Sequence, residues 1–237
     1  MKRNSSAAFT LIEMLVVIAI IAVLAAFAGP ALFNALAKGQ MTGTMNNTRQ
    51  LLLAGQQMAL DGSTNSDPTR AWPGDLSETA AAPGSSPAPI TTLQQYVTKL
   101  VQGDYLKASD VQKLLSAPGA TCTAIADSAG AVTLGGKSAL KVYKVKETDS
   151  SNTIFAVTAN YTYDTALSAS AAPYADKGFV VQRKGGDASL LQKNNAVATA
   201  GQETTFQSVV GKKSGEADGT VTAGDTAGTS TLVLTNP

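Results

Sequence analysis

The sequence predicts an α+β protein: a long N-terminal helix, membrane-spanning in its first half, packed on a small antiparallel sheet, with a short second helix and long loops. Three observations carry this. Residues 9–33 are almost continuously apolar. Met41, Met45, Thr48, Leu52, Gly55 and Ala59 then recur every three or four positions, laying one stripe along a helix. Beyond Pro118 the hydrophobic period falls to two, the period of strands.

The apolar block comes first. A helix that crosses a bilayer needs roughly 20 apolar residues, and Phe9 to Phe33 supplies them. Lys2 and Arg3 precede it, and a positive flank stays cytoplasmic, which places the rest of the chain outside the inner membrane. Glu13 interrupts the block. An acid at the centre of a membrane helix costs about 2.5 to 3.5 kcal/mol, so such a residue points to a function and a partner. A cut between Ala8 and Phe9 would create that partner. The new α-amine of Phe9 would lie about one helical turn from its own Glu13 and from the Glu13 of a staggered neighbour. In lipid, that ion pair would hold subunits in register.

Lys2-Arg3, a short polar leader, Ala8-Phe9-Thr10-Leu11-Ile12-Glu13 and an apolar helix with Pro30 in phase resemble the class III signal of type IV pilins and type II secretion pseudopilins. The resemblance covers about the first 60 residues. It implies a pilin-like fold, prepilin peptidase cleavage between Ala8 and Phe9, N-methylation of Phe9, and assembly through Glu13. It also implies a set of partners: like subunits in a helical filament, the peptidase, an inner-membrane assembly platform and membrane lipid. The family prefers Gly before the cut, where this chain has Ala8. Many type IV pilins close a C-terminal loop with a disulfide. A chain whose one cysteine is Cys122 cannot, which leans toward a secretion pseudopilus. Two simpler readings are a secretory signal cut after Ala26-Phe27-Ala28 and an ordinary N-terminal anchor; neither accounts for Glu13 and the phase of Pro30. A membrane-anchored binding or adhesive module that does not polymerise is the alternative function.

The expected organisation is a cleaved leader over 1–8, a transmembrane and assembly helix over 9–33, its continuation over 34–62, and an extracytoplasmic head over 63–237. Gly29-Pro30 predicts a kink. Gly62 predicts the helix stop. From Phe9 to Asp61 the helix would be about 80 Å long. Residues 63–89 read as loop, with Pro68, Pro73, Pro83, Pro87 and Pro89, and Trp72 is expected to cap the core of the head. Leu93, Tyr96, Val97, Leu100 and Val101 predict a second amphipathic helix, and Ser109 the start of a short one over 110–115. Strands are expected over 139–146, 153–163 and 178–183, with a turn at Gly185-Gly186. Residues 194–231 read as exposed, weakly ordered chain, and 231–235 as a last strand.

Composition narrows the chemistry. With no histidine and one cysteine, the chain has no Ser-His-Asp or Cys-His catalysis and no thiolate zinc site, and it reads as a non-enzyme. Its net charge of +1 argues against nucleic acid as a partner. Cys122 reads as a small buried apolar residue. Gly135-Gly136-Lys137-Ser138 has Ala131 where a phosphate loop requires its first Gly, and reads as a hairpin turn. Ser214, Glu216, Asp218, Gly219 and Asp225 match a calcium loop in degenerate form. No helices are expected beside it, so a solvated acidic loop is the simpler reading. Major pseudopilins bind calcium in C-terminal loops, and the resemblance therefore keeps calcium as the one cofactor to consider, on Glu216, Asp218 and Asp225.

Overall fold

The computed structural model describes residues 10–78, 88–228 and 230–237. The leader, Ala8, Phe9, Pro83 and Pro87 lie outside the described residues. The fold is α+β and pilin-like: a long N-terminal helix, small antiparallel sheets and short helices. The chain divides into two compact units, Met1–Gly39 and Gln40–Pro237. Helix α1, Leu11–Asn65, contributes to both.

In the first unit α1 is apolar all round and unburied. Leu11 and Phe27 are more than 80 % exposed, and Leu32, Phe33 and Leu36 are exposed with them. An apolar helix surface of this kind belongs in lipid or against other helices, since water is its worst solvent. It is the one helix among the described residues long and apolar enough to cross a membrane. The helix runs through Gly29 and Pro30 without a break. Pro30 has no amide hydrogen, so the carbonyl of Ala26 loses its usual intrahelical donor.

In the second unit the head half of α1 turns one face inward. Met41, Thr44, Thr48, Leu51, Leu52, Ala54, Met58 and Ala59 are buried, while Leu53 and Leu60 face out. The predicted stripe is therefore correct but too narrow. Gly62 does not stop the helix. It is buried within the last turns, and the Arg70 carbonyl occupies the space a β-carbon would need. The helix ends three residues later, where Ser66 takes a positive φ of 52°. Ser63, Thr64 and Asn65 donate their side chains back to the carbonyls of Leu60 and Asp61, a local bonding that competes with the helix where it ends.

Helix α2, Leu93–Gln102, starts at a Thr92–Gln95 capping box. It buries Leu93, Tyr96, Val97 and Leu100, as its spacing predicts. Helix α3, Ala108–Leu114, begins at Lys107 rather than Ser109. Against α2 and α3 packs a hairpin the sequence reading missed, β1 (Cys122–Ala126) with β2 (Val132–Gly136). Thr98 and Val132 exchange hydrogen bonds across this contact, and Gln94 and Gln112 accept the amides of Leu134 and Ala124. Gly135 and Gly136 close strand β2 and are not the hairpin turn. That turn is built by Asp127, whose side chain accepts the amides of Ala129 and Ala131.

The main sheet has the order β3 (Leu140–Val142), β4 (Ile154–Thr158), β5 (Phe179–Arg183) and β6 (Ala188–Leu191), all antiparallel. Every residue of β4 and β5 is buried, so both faces of the sheet are covered. On one side Thr48 of α1 donates to Gln182, and Gly55 faces Phe155. On the other, Ile154 meets Gly211, and Tyr163 packs edge-on against Phe206. Trp72 is buried edge-on to Phe155, as expected of a core cap, and Cys122 is buried.

The tail departs most from expectation. Helix α4, Glu203–Val209, buries Phe206 and Gln207 over the sheet. The final residues cover the outer edge of β3. Leu234 donates to the Val142 carbonyl, Lys144 donates to the Leu232 carbonyl, and Val233 pairs with Tyr143. The last strand predicted at 231–235 is thus present as an edge cover, preceded by a small hairpin of β7 (Thr226–Ala227) and β8 (Ser230–Thr231).

Candidate functional site

Glu13 sits in the first turn of α1, three residues after Thr10. Its Oε2 accepts the Thr10 amide at 2.8 Å and the Thr10 hydroxyl at 2.7 Å. In return the Thr10 Oγ1 accepts the Glu13 amide at 3.3 Å, and the Thr10 carbonyl accepts the Met14 amide. This is a reciprocal capping box. Sequence reasoning took Glu13 for a charge awaiting a partner and passed over Thr10. The signal was available, because Thr-x-x-Glu before an apolar run is the pattern of such a box. The carboxylate therefore does two things: it starts the helix, and it sets a negative charge at the first described residue, Thr10. Ala8 and Phe9 themselves lie outside the described residues. Gly29 and Pro30, the predicted kink, are inside α1 and more than four turns further on.

The three carboxylates singled out in the C-terminal loop do not converge on one point; each faces a lysine instead. Asp218 is 85 % exposed and pairs with Lys212 at 2.6 Å. Asp225 accepts Lys141 at 2.9 Å and the Tyr143 hydroxyl at 2.5 Å. The Glu216 side chain is buried. It accepts the Tyr163 hydroxyl at 2.8 Å and the amides of Lys213 and Thr222, and lies 3.9 Å from the Lys213 ammonium. Among the described residues no three carboxylate, histidine or cysteine side chains stand close enough to hold a metal ion.

These contacts leave an electrostatic mark. Burial pushes the Lys213 ammonium down from the usual lysine range, while Glu216, Asp225 and Asp164 oppose that shift. Burial first, then the neighbouring carboxylates Asp225 and Glu216 respectively, push the Tyr143 and Tyr163 hydroxyls well up. The cluster is an ionic network of lysines, carboxylates and tyrosine hydroxyls.

Comparison with known proteins bears on the N-terminal end. The family described as the prokaryotic N-terminal methylation motif matches residues 3–29, which contain Glu13 and its cap. The chain is similar to two type IV major fimbrial proteins FimA of Dichelobacter nodosus. One is 41 % identical over 64 residues, covering 27 % of this chain and 41 % of the relative. The other is 39 % identical over 66 residues, covering 28 % and 42 %. The chain thus spans about two fifths of the length of these curated relatives. No solved structure matches it. The N-terminal segment of this chain is thus similar to that of type IV major fimbrial proteins, and it carries the N-terminal methylation motif.

Proposed function

We propose that this chain is a structural filament subunit. It enters the inner membrane through the first half of α1, is cut by prepilin peptidase between Ala8 and Phe9, is N-methylated on Phe9, and polymerises through its N-terminal helix. The observation that carries the reading is the methylation motif over 3–29, most of which is an unburied apolar helix. An apolar helix with no burial of its own needs lipid before assembly and like helices after it. Glu13 supplies the register charge. In the precursor its carboxylate is held by Thr10; after cleavage the amine of Phe9, four positions earlier in the sequence, offers a full positive charge. The relatives are named as fimbrial proteins, which supports a structural role.

The test uses two substitutions. Glu13→Gln keeps an acceptor for the cap and removes the charge; Glu13→Ala removes both. Both variants are expected to insert and to be cleaved, as read by N-terminal sequencing and intact mass, and both to assemble poorly. Normal filaments from Glu13→Gln would remove the ion-pair argument. Cleaved wild-type chains recovered only as single subunits in the membrane would favour an anchored binding module. Loss of surface fibres on deletion would identify a pilus, and loss of exported proteins a secretion pseudopilus.

A further inference from the structure

The C-terminal loop is built around a cation, and that cation belongs to the chain. Lys213 is only 3 % exposed. Its ammonium donates to the carbonyls of Thr222 at 2.6 Å, Gly224 at 2.9 Å and Thr226 at 3.4 Å. Glu216 lies 3.9 Å away, and the Tyr163 ring centroid lies 4.9 Å away. Three carbonyls converging on one point, backed by a carboxylate and an aromatic face, would repel one another without a positive charge between them. Segment 222–226 therefore takes its course from the ammonium it encircles. The shorter distances suit N–H···O bonds; calcium would draw about six to eight oxygens to about 2.3–2.6 Å.

Two further lysines repeat the device at other loops. Lys184 donates to the carbonyls of Lys146 at 3.0 Å and Asp149 at 2.9 Å and stands over the Trp72 ring. Lys141 donates to the Tyr161 carbonyl at 2.8 Å and to Asp225. Lys213 also lines a cavity of about 290 Å³, together with Glu216, Thr222, Thr226 and Leu232 among others.

We propose that the Lys213 cage is a binding site for a primary ammonium or similar univalent cation, occupied by the chain's own side chain, so that the loop is closed without any external metal. The site becomes available to solutes only when that side chain is shortened. The role is independent of the filament reading, since it lies wholly in the head.

The experiment compares full-length wild type, Lys213→Ala and Lys213→Met in detergent, following thermal unfolding and the rate of proteolytic cutting within 213–228. Wild type is expected to be unmoved by millimolar calcium and by methylammonium. Lys213→Ala is expected to be cut about tenfold faster or more, because charge-assisted bonds to the three carbonyls of the loop are lost. Methylammonium chloride should restore much of its protection, and tetramethylammonium, which has no N–H, should not. Lys213→Met fills the stem without the charge and should be cut as fast as Lys213→Ala. Wild-type protection in Lys213→Met would overturn the proposal, as would Lys213→Ala that responds equally to both ammonium salts or to neither. A rise in wild-type melting temperature with calcium would also overturn it, by showing that an external ion completes the loop.

Discussion

The Tyr96 hydroxyl occupies the position that a β-carbon on Gly55 would take. Tyr96 is fully buried, and its hydroxyl finds no hydrogen-bond partner among the described residues. The tyrosine ring thus seats α2 against α1 at a point on the inward face where α1 has no side chain, and burial alone pushes the hydroxyl's ionisation far up. Overpacking a core costs typically about 1–3 kcal/mol. Gly55→Ala is expected to destabilise the head within that range, as read by chemical denaturation. Tyr96→Phe removes a buried unpaired polar atom and is expected to be neutral or stabilising. It should also relieve the Gly55→Ala defect. Additive effects in the double variant would contradict the contact.

Gly62 is a stricter case. The atom in its way is the Arg70 carbonyl, part of the backbone, and not the movable end of a side chain. Gly62→Ala must displace either the end of α1 or the Asp67–Arg70 turn. A loss of about 3 kcal/mol or more is expected, near the top of the overpacking range. A melting temperature within a degree of wild type would show that the turn yields freely.

Asp225 ties its own loop to two other segments. It accepts Lys141 of β3, the Tyr143 hydroxyl and the Tyr163 amide. Removing one member of a buried pair strands the others, at about 3–5 kcal/mol. Both Lys141 and Asp225 keep some solvent contact, so Asp225→Ala is expected toward the lower end of that range. Asp225→Asn, which can still accept from Tyr143, should lose less. Equilibrium unfolding of the two variants ranks them; equal losses would mean that the hydroxyl bond contributes nothing.

All six tyrosines have hydroxyls pushed above the ordinary value, burial being the first cause in each. The folded head therefore holds its phenol protons more tightly than the unfolded chain does. Below the ordinary tyrosine value of about 10 both states are protonated and this contribution is fully present; above it the unfolded chain sheds protons first and stability falls as pH rises. Phenolate absorbance should stay low through about pH 10 and then rise together with loss of the fold. A separate phenolate step on an intact fold would show that at least one tyrosine is open to solvent.

Much of this was readable from sequence, and the failures have physical causes. The membrane stretch, the inward stripe of α1, α2 and the strands around Val142, Val157 and Val181 follow from periodicity, which reports burial directly. Gly62 misled because glycine serves both as a helix terminator and as a point of close approach, and only the location of Arg70 decides between them. Residues 194–231 misled because they are rich in small polar residues, yet few contacts suffice to order them: Phe206 supplies the apolar anchor and Lys213 the polar one. A buried lysine cannot be told from a surface lysine by residue type alone. The carboxylates at 216, 218 and 225 are close in sequence, whereas the lysines beside them lie up to 84 positions away in the chain. At the candidate assembly site Glu13 was found from its cost in lipid, and Thr10 was overlooked although its spacing was in plain view.

The cover on β3 has a consequence in time. Val142 is paired on its outer side by Leu234, more than ninety residues downstream. During synthesis α1 leaves the ribosome first, and the strands β3 to β6 follow while the outer edge of β3 still shows unpaired amides and carbonyls. An open edge is a template for pairing with another chain. The head can complete its sheet only when Leu234 has emerged, so a newly made chain passes through an interval in which α1 is already complete and the edge of β3 is still open.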